Sequence, residues 1–365
     1  MAQRTPKKKS LRAASLFCGA GGLDVGFARA GFDIVYAVDN DADSCETYRQ
    51  GIGAHADLKD VSELTGLPPH DVLIGGPPCQ GFSVAGNMDP DDPRSGMIWE
   101  FARLVGLSRP AVFVMENVKA LAAVSRWKPV RDSLEAKFGG LGYSVAVHVL
   151  NAKDFGVPQS RERAFFVGVR GGMPMPPPRP TGSFSPTARA VLSAFPPPGA
   201  PPNSAPCRAK ITPAKKPIMR KSPFAGMLFN GQGRPIDLDS TVNTLPASMG
   251  GNRTPIVDER ALRKGAKQWI VGHHARLASE KCPPVTKAPS FLRRITVAEA
   301  AAIQGFPPGF EFCGSQSSQY RQIGNAVPPP LAHAVAESVA AWLESRDPSR
   351  LAFCEDSAQV PGLVV

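Results

Sequence analysis

Ala13-Ala14-Ser15-Leu16-Phe17-Cys18-Gly19-Ala20-Gly21-Gly22 is a short apolar run of strand type that breaks into a glycine-rich turn, and a helical pattern follows from Gly22 to Ala30. Glycines at such a place let the backbone turn sharply and approach a ligand at a helix N-terminus. A second strand, Ile34–Val38, runs into Asp39-Asn40-Asp41. An acid about 20 residues beyond a glycine turn can hold ribose hydroxyls. The pair favours an adenosine-containing cofactor and leaves NAD, FAD and S-adenosylmethionine open.

Working outward, the first half keeps alternating short β-type runs (Val72–Ile74, Val112–Met115, Tyr143–Leu150, Ala164–Val169) with helix-like segments near Asp41–Gln50, Met97–Gly106 and Pro129–Phe138. This alternation predicts an α/β fold with a doubly wound, mostly parallel sheet, whose ligands sit beyond the carboxyl ends of the strands. After Arg170 the texture changes. Met173–Pro180 and Pro196–Pro206 are proline-rich, and the chain to about Ser290 has little helical period. A smaller, irregular domain is expected there, followed by helices near Val297–Gln304 and Pro330–Glu344. The expected organisation is a basic, disordered tail at 1–10, a large domain from 11–170 plus 320–348, a smaller domain at 171–319 and a tail at 349–365.

Composition bounds the function. A formal charge of +11 favours a polyanionic partner, although Lys7, Lys8 and Lys9 alone read as a solvated tail. The seven cysteines form no Cys-x-x-Cys pair, which argues against a disulfide framework and a structural zinc site. His273 and His274 are adjacent, so they read as surface or core imidazoles, and no metal is expected. Apolar runs are too short to span a bilayer and no signal peptide is apparent, so a cytoplasmic protein with no membrane partner is expected.

The most informative run is Asp71-Val72-Leu73-Ile74-Gly75-Gly76-Pro77-Pro78-Cys79-Gln80-Gly81-Phe82-Ser83. A stiff Gly-Gly-Pro-Pro loop at a strand end fixes the next cysteine in space, as a nucleophile requires. The stretch to Gly96 has the glycines and acids of a closing lid. Val114-Met115-Glu116-Asn117-Val118 puts an acid at another strand end, where a raised pKa would let it donate a proton to a ring nitrogen. Alone, Glu116 reads as an ordinary helix-start acid. In Gln159-Ser160-Arg161-Glu162-Arg163, two arginines at i and i+2 on an extended segment point to one face; as a lone pair they would be solvated.

In this order, the pieces resemble the cytosine-5 DNA methyltransferase family of the bacterial restriction-modification type. The resemblance also takes in His55-Ala56-Asp57-Leu58, Arg293-Arg294-Ile295-Thr296-Val297-Ala298-Glu299, Gln304-Gly305-Phe306-Pro307 and Arg321-Gln322-Ile323-Gly324-Asn325-Ala326-Val327-Pro328. It covers nearly all of the chain except about Gly171–Ser290. Position 39 departs from the family's commoner Glu, keeping the carboxylate with a shorter reach.

The resemblance implies a Rossmann-like, S-adenosylmethionine-dependent fold that releases S-adenosylhomocysteine, with a smaller target-recognition domain. It implies double-stranded DNA as substrate, base flipping, a monomer, and a cognate restriction endonuclease as a genetic partner. By the same resemblance, Cys79 adds to carbon 6 of cytosine, Glu116 contacts the ring nitrogen and Arg163 the base carbonyl. Arg161 helps hold the thiolate and a nearby phosphate, and Asn117 orients the loop. Phe17, Gly19, Ala20, Gly21, Gly22 and Leu23 line the cofactor, Asp39 and Asn40 hold its ribose side, and Asp57 beside Leu58 accepts from the adenine amino group. Pro77, Asn325 and Val327 complete that site, while Arg293 and Thr296 support the smaller domain. Arg234 and Arg253, each set among glycines, are expected to contact DNA bases; contact with phosphate, or with nothing, is the other reading. The alternatives are an RNA cytosine methyltransferase, an inactive DNA-binding relative, and a nicotinamide or flavin oxidoreductase, which leaves the Pro-Pro-Cys loop unexplained.

Overall fold

A computed structural model of the protein describes residues 10–78, 96–182, 184–279 and 287–346. The chain divides into two compact units. The first comprises 1–150, 162–180 and 331–365, and the second 151–161 and 181–330.

The first unit is built on β1 (Arg12–Leu16), β2 (Asp33–Asp39), β3 (Ala56–Leu58), β4 (Val72–Gly75), β5 (Val112–Val118), β6 (Tyr143–Asn151) and, after the short β7 (Gln159–Ser160) of the other unit, β8 (Glu162–Arg170). They form one sheet in the order β3-β2-β1-β4-β5-β8-β6. Pairing is parallel from β3 through β5, and β8 runs antiparallel to β5. β5 reads Val-Phe-Val-Met-Glu-Asn-Val and is buried through Asn117, as a strand covered on both faces must be. The covering helices are α1 (Gly22–Arg29), α2 (Ala42–Gly51), α3 (Met97–Ser108), α4 (Lys119–Ala123) and α5 (Lys128–Gly140). The chain builds outward from β1 to one side through β2 and β3, then starts again on the other through β4. That reversal opens a crevice at the carboxyl ends of β1 and β4, where such sheets bind ligands. Phe113 anchors the core, with ring centroids 6.0 Å from Phe101, 4.3 Å from Phe138 and 5.2 Å from Tyr143. Its cross-strand partner is Gly168, where a Cβ would collide with the ring.

The second unit carries α6 (Ala188–Ser193), β9 (Pro213–Ile218), β10 (Met227–Phe229), β11 (Val242–Asn243), β12 (Ile256–Asp258), α7 (Glu259–Lys264), α8 (Trp269–Ala278), β13 (Leu292–Arg294), α9 (Val297–Gln304) and α10 (Gln316–Asn325). α11 (Pro329–Glu344) returns the chain to the first unit. Among the described residues the strands pair in twos, β9 with β10, β7 with β11 and β12 with β13. A small core of Leu228, Phe229, Ile256, Ile270 and Leu292 is supplemented by ionic bracing. The Arg293 guanidinium donates to both carboxylate oxygens of fully buried Glu299, each at 2.8 Å, and to Glu259 at 2.7 Å. Thr296 and Glu299 close a capping box on α9.

The unit boundaries differ from those expected. Residues 320–330 lie in the second unit because α10 is held there, with Tyr320 donating to the Ile295 carbonyl at 2.6 Å. Residues 171–180, read as the start of the smaller domain, belong to the first unit; Met175 is buried and its carbonyl accepts from His148 Nε2 at 3.0 Å. α8 was hidden in a stretch that looked aperiodic. It stacks Trp269 on buried His273, centroids 4.4 Å apart, while His274 is half-buried and bonds the Arg220 carbonyl. No described helix is long and apolar enough to cross a membrane.

Candidate active site

The turn after β1 is strained where a ligand would approach it. Phe17, Gly19 and Gly21 all have positive φ, of 54°, 53° and 79°, a cost that glycine avoids and phenylalanine does not. The strain is held by hydrogen bonds to β2. Cys18 N donates to the Val38 carbonyl at 3.0 Å and Gly19 N to Asp39 Oδ2 at 2.8 Å, while Asp41 N donates to Asp39 Oδ1 at 2.9 Å. Each Asp39 oxygen therefore has one backbone donor and keeps acceptor capacity for another. Burial pushes the Asp39 carboxyl up, against the pull of those two N–H groups. Gly22 opens α1, placing free backbone donors of the first helical turn beside the bend. A Cβ on Gly19 would meet nothing within 4 Å, so the outer side of the turn is open, whereas Gly21 is packed from below by Tyr48 and Ile52. Ala20 and Leu23 are buried, and Asn40 is exposed.

β3 brings Asp57 beside β2, in register with Val38, and leaves Leu58 exposed. Arg49 binds β3 from α2, its Nε and Nη2 donating to the Ala56 carbonyl at 3.0 and 2.7 Å. Lys59 Nζ lies 3.8 Å from the half-exposed Asp57 carboxylate. Burial, aided by Asp57, pushes the Tyr36 hydroxyl up to about 12.

Beneath this turn lies a polar string, buried at Asp24 and Tyr48 and half-buried at His55, for which no role was expected. The Tyr48 hydroxyl donates to Asp24 Oδ1 at 3.0 Å and lies 3.1 Å from His55 Nε2. Asp24 is fully buried; burial pushes its carboxyl up to about 6, with the Tyr48 hydroxyl pulling it down. A carboxyl raised on folding gives stability that is full below its unfolded pKa and is lost as pH rises through the folded one. Ionised Asp24 thus costs roughly 3 kcal/mol at neutral pH. Asp24→Asn keeps the shape and an acceptor for Tyr48, so it should be more stable than wild type near pH 7.5. The gain should vanish near about pH 4. Urea unfolding of both proteins across that range checks this; a gain independent of pH would contradict it.

At the carboxyl ends of β4 and β5 the second cluster assembles. Glu116 and Asn117 are buried at the end of β5. A buried carboxylate needs a partner, and Arg163 on the antiparallel β8 supplies it, Nε lying 3.0 Å from Glu116 Oε1. Register explains the meeting. Glu116 faces Phe165, and Arg163, two residues along on the same face, is its diagonal neighbour. Glu116 Oε2 reaches over Gly76, 3.0 Å from where a Cβ there would sit. Asn117 Nδ2 donates to the Pro77 carbonyl at 3.2 Å, and its Oδ1 accepts from Val118 N at 2.9 Å. The glycine-proline loop is thus gripped two residues before Cys79. Cys79 itself, and the lid expected to Gly96, lie outside the described residues up to Ser95.

The two arginines of 159–163 do not share a task. The extended segment breaks at Arg161, between β7 in the second unit and β8 in the first. Arg161 is fully buried, with Nη1 donating to the Leu245 carbonyl at 3.0 Å and Nη2 to the Gly324 carbonyl at 2.7 Å. Two of its donors are thus committed to buried carbonyls of the second unit. Gln159 beside it accepts from Leu245 N at 2.9 Å and donates to Gln304 Oε1 at 2.6 Å. Asn325 and Val327 lie in the second unit, at and just beyond the end of α10. Arg234 and Arg253 are exposed there on abutting loops, joined by Gly233 N donating to the Asn252 carbonyl at 3.2 Å. Gly231 and Gln232 share a positive φ of 69°, and Gly231 has no room for a Cβ beside Asn252. Among the described residues no group of His, Cys, Asp and Glu could hold a metal ion.

Residues 11–341 match the family described as C-5 cytosine-specific DNA methylase. The chain belongs to this family. Among its relatives, the type II methyltransferase M1.HphI of Haemophilus parahaemolyticus is 36% identical over 344 residues, spanning 90% of this chain and 87% of that one. The type II methyltransferase M.DdeI of Desulfomicrobium norvegicum is 31% identical over 375 residues, spanning 90% and 88%. The structure of the methyltransferase EhMeth of Entamoeba histolytica superposes with a TM-score of 0.63 at 15% identity, covering 92% of this chain and 99% of that one. The S. pombe Dnmt2 methyltransferase does so with a TM-score of 0.58 at 19% identity, covering 92% and 99%. At those identities the likeness establishes the Rossmann-like fold. Within this DNA methylase, Asp24 and Tyr48 carry no mark in any motif, and His55 stands in one with no role assigned to it. A carboxylate among the apolar residues of a short helix was the signal, since buried acids are rare unless partnered.

Proposed function

We propose that this methylase transfers a methyl group from S-adenosylmethionine to carbon 5 of cytosine in double-stranded DNA, with Cys79 adding to carbon 6. We further infer that it protects DNA as the modification partner of a restriction endonuclease; the type II names of its relatives support that role. The observation that carries the chemical reading is the Glu116 carboxylate, buried, paired with Arg163 and held over Gly76 of the loop leading to Cys79.

The turn at Phe17–Leu23 fits the cofactor. Its outer side is open at Gly19, helix-start donors lie beside it, and the Asp39 and Asp57 carboxylates retain acceptor capacity for ribose and adenine. When bound, S-adenosylmethionine supplies an activated methyl group and leaves as S-adenosylhomocysteine. The chain's own residues do the rest. The base must leave the duplex stack, because its reacting carbons are inaccessible there. The Cys79 thiolate forms a bond to carbon 6, pushing electrons into the ring toward carbon 5. Glu116 stabilises this by a proton at the ring nitrogen, and Arg163 by donating to the base carbonyl oxygen; that oxygen sits on the carbon next to the nitrogen, as the paired side chains sit side by side. Once carbon 5 carries the methyl group, a water takes its proton, the electron pair returns to the ring and the carbon 6–sulfur bond breaks, restoring the Cys79 thiolate.

The second unit reads the target, with Arg234 and Arg253 donating to base edges. The test is transfer of labelled methyl to unmodified duplex DNA, with RNA in parallel and sequencing of the modified cytosines. Label in DNA at a defined sequence is expected, and Arg234→Ala and Arg253→Ala should broaden that sequence or weaken binding. Label in RNA alone would overturn the substrate, and an unchanged sequence profile in both variants would remove the arginines from recognition.

A further inference from the structure

We propose that Tyr48 is a positioning residue for the cofactor, one phenol that locks the glycine turn and the Asp57 strand into a single binding surface. The proposal rests on the cofactor reading of that turn and goes beyond it by naming what holds its two halves together.

Tyr48 lies in α2, fully buried, and touches both halves. Its ring underlies the turn, with Cδ2 and Cε2 at 3.0 and 3.1 Å from where a Cβ of Gly21 would sit. Its hydroxyl meets Asp24, the third residue of α1, on one side. On the other it meets His55, the residue before β3, whose ring also packs edge-on against the phenol at a centroid distance of 5.4 Å. The turn and the strand carrying Asp57 are therefore joined through one oxygen.

The proton accounting explains why a tyrosine is suited to the place. With Asp24 ionised, Tyr48 donates to the carboxylate and accepts from His55 Nε2–H. With Asp24 protonated, the acid donates to the phenol, which donates on to His55 Nε2. The Tyr48 oxygen keeps both of its partners in either direction, since a phenol both donates and accepts. A phenylalanine keeps the ring contact with Gly21 and leaves both neighbours without their shared partner. β3 stays tethered by the two Arg49 bonds to the Ala56 carbonyl, so losing the hydroxyl loosens the surface without releasing the strand.

The experiment is S-adenosylhomocysteine binding by calorimetry, with steady-state methylation of unmodified duplex DNA, for wild type, Tyr48→Phe, His55→Phe and the double variant. Tyr48→Phe should weaken S-adenosylhomocysteine binding and raise KM for S-adenosylmethionine by roughly tenfold, the worth of a buried hydrogen bond to a charged group. KM for DNA and kcat should hold. His55→Phe should act in the same direction, and the double variant should be little worse than Tyr48→Phe, because both cut one string. Unchanged cofactor affinity in Tyr48→Phe, or additive losses in the double variant, would overturn the proposal while leaving the cofactor reading intact. If Tyr48→Phe fails to fold, His55→Phe decides on the same readout. No binding by the wild type would overturn the cofactor reading and this proposal with it.

Discussion

Replacing Cys79 with alanine is expected to abolish methyl transfer, with a fall on the order of 10⁴ or more in kcat, while binding of S-adenosylhomocysteine stays near wild type. Carbon 5 of cytosine is a weak nucleophile, and only a covalent bond at carbon 6 makes it electron-rich enough to react. A water or serine oxygen cannot replace the thiolate, which is both the stronger nucleophile near neutral pH and the better leaving group. The surrounding frame survives the change: Asn117 still grips the Pro77 carbonyl, and Arg163 still pairs with Glu116. A single-turnover assay with labelled methyl donor, alongside calorimetry with S-adenosylhomocysteine, separates chemistry from binding. Methylation by Cys79→Ala at more than about one per cent of the wild-type rate would remove the covalent step.

Arg161→Met should act quite differently, lowering stability by about 3–5 kcal/mol. The methionine fills similar space but strands the carbonyls of Leu245 and Gly324, both bound by one guanidinium in a site closed to water. The approach there is close: a Cβ on Gly324 would sit 2.5 Å from the Pro246 carbonyl oxygen, so nothing larger can fill the gap. Lysine should rescue only in part, because a single ammonium cannot span two carbonyls as the planar fork does. Urea unfolding followed by the fluorescence of Trp269, in the second unit, should show an earlier transition in Arg161→Met. Unchanged unfolding with a loss confined to DNA affinity or kcat would instead support a role at the thiolate and phosphate.

Much of this molecule was legible in its residues because the signals were local. The turn at Phe17–Gly22, the acid at Asp39 and the buried run at Val112–Val118 announce a parallel sheet, since strand period, helix period and glycine turns are short-range properties. In the second unit the local signals fade. Its stability rests on ion pairs such as Arg293–Glu299 and on two-stranded pairings rather than on a periodic apolar face, so α8 and α10 escaped detection. The cap at Ser315, whose Oγ accepts from Ser318 N at 3.3 Å, was the one local mark of α10.

By itself the sequence settled the sheet and the family, because those depend on order and spacing along the chain. Only the tertiary structure decided what each side chain does. Arg161 and Arg163 stand two residues apart with equal charge, yet one is sealed against carbonyls 84 and 163 residues away and the other pairs with Glu116. Asp24, Tyr48 and His55, spread over three elements, become one string only when the sheet forms. Partners that distant are set by packing, and no local pattern encodes which buried donor will meet which buried acceptor.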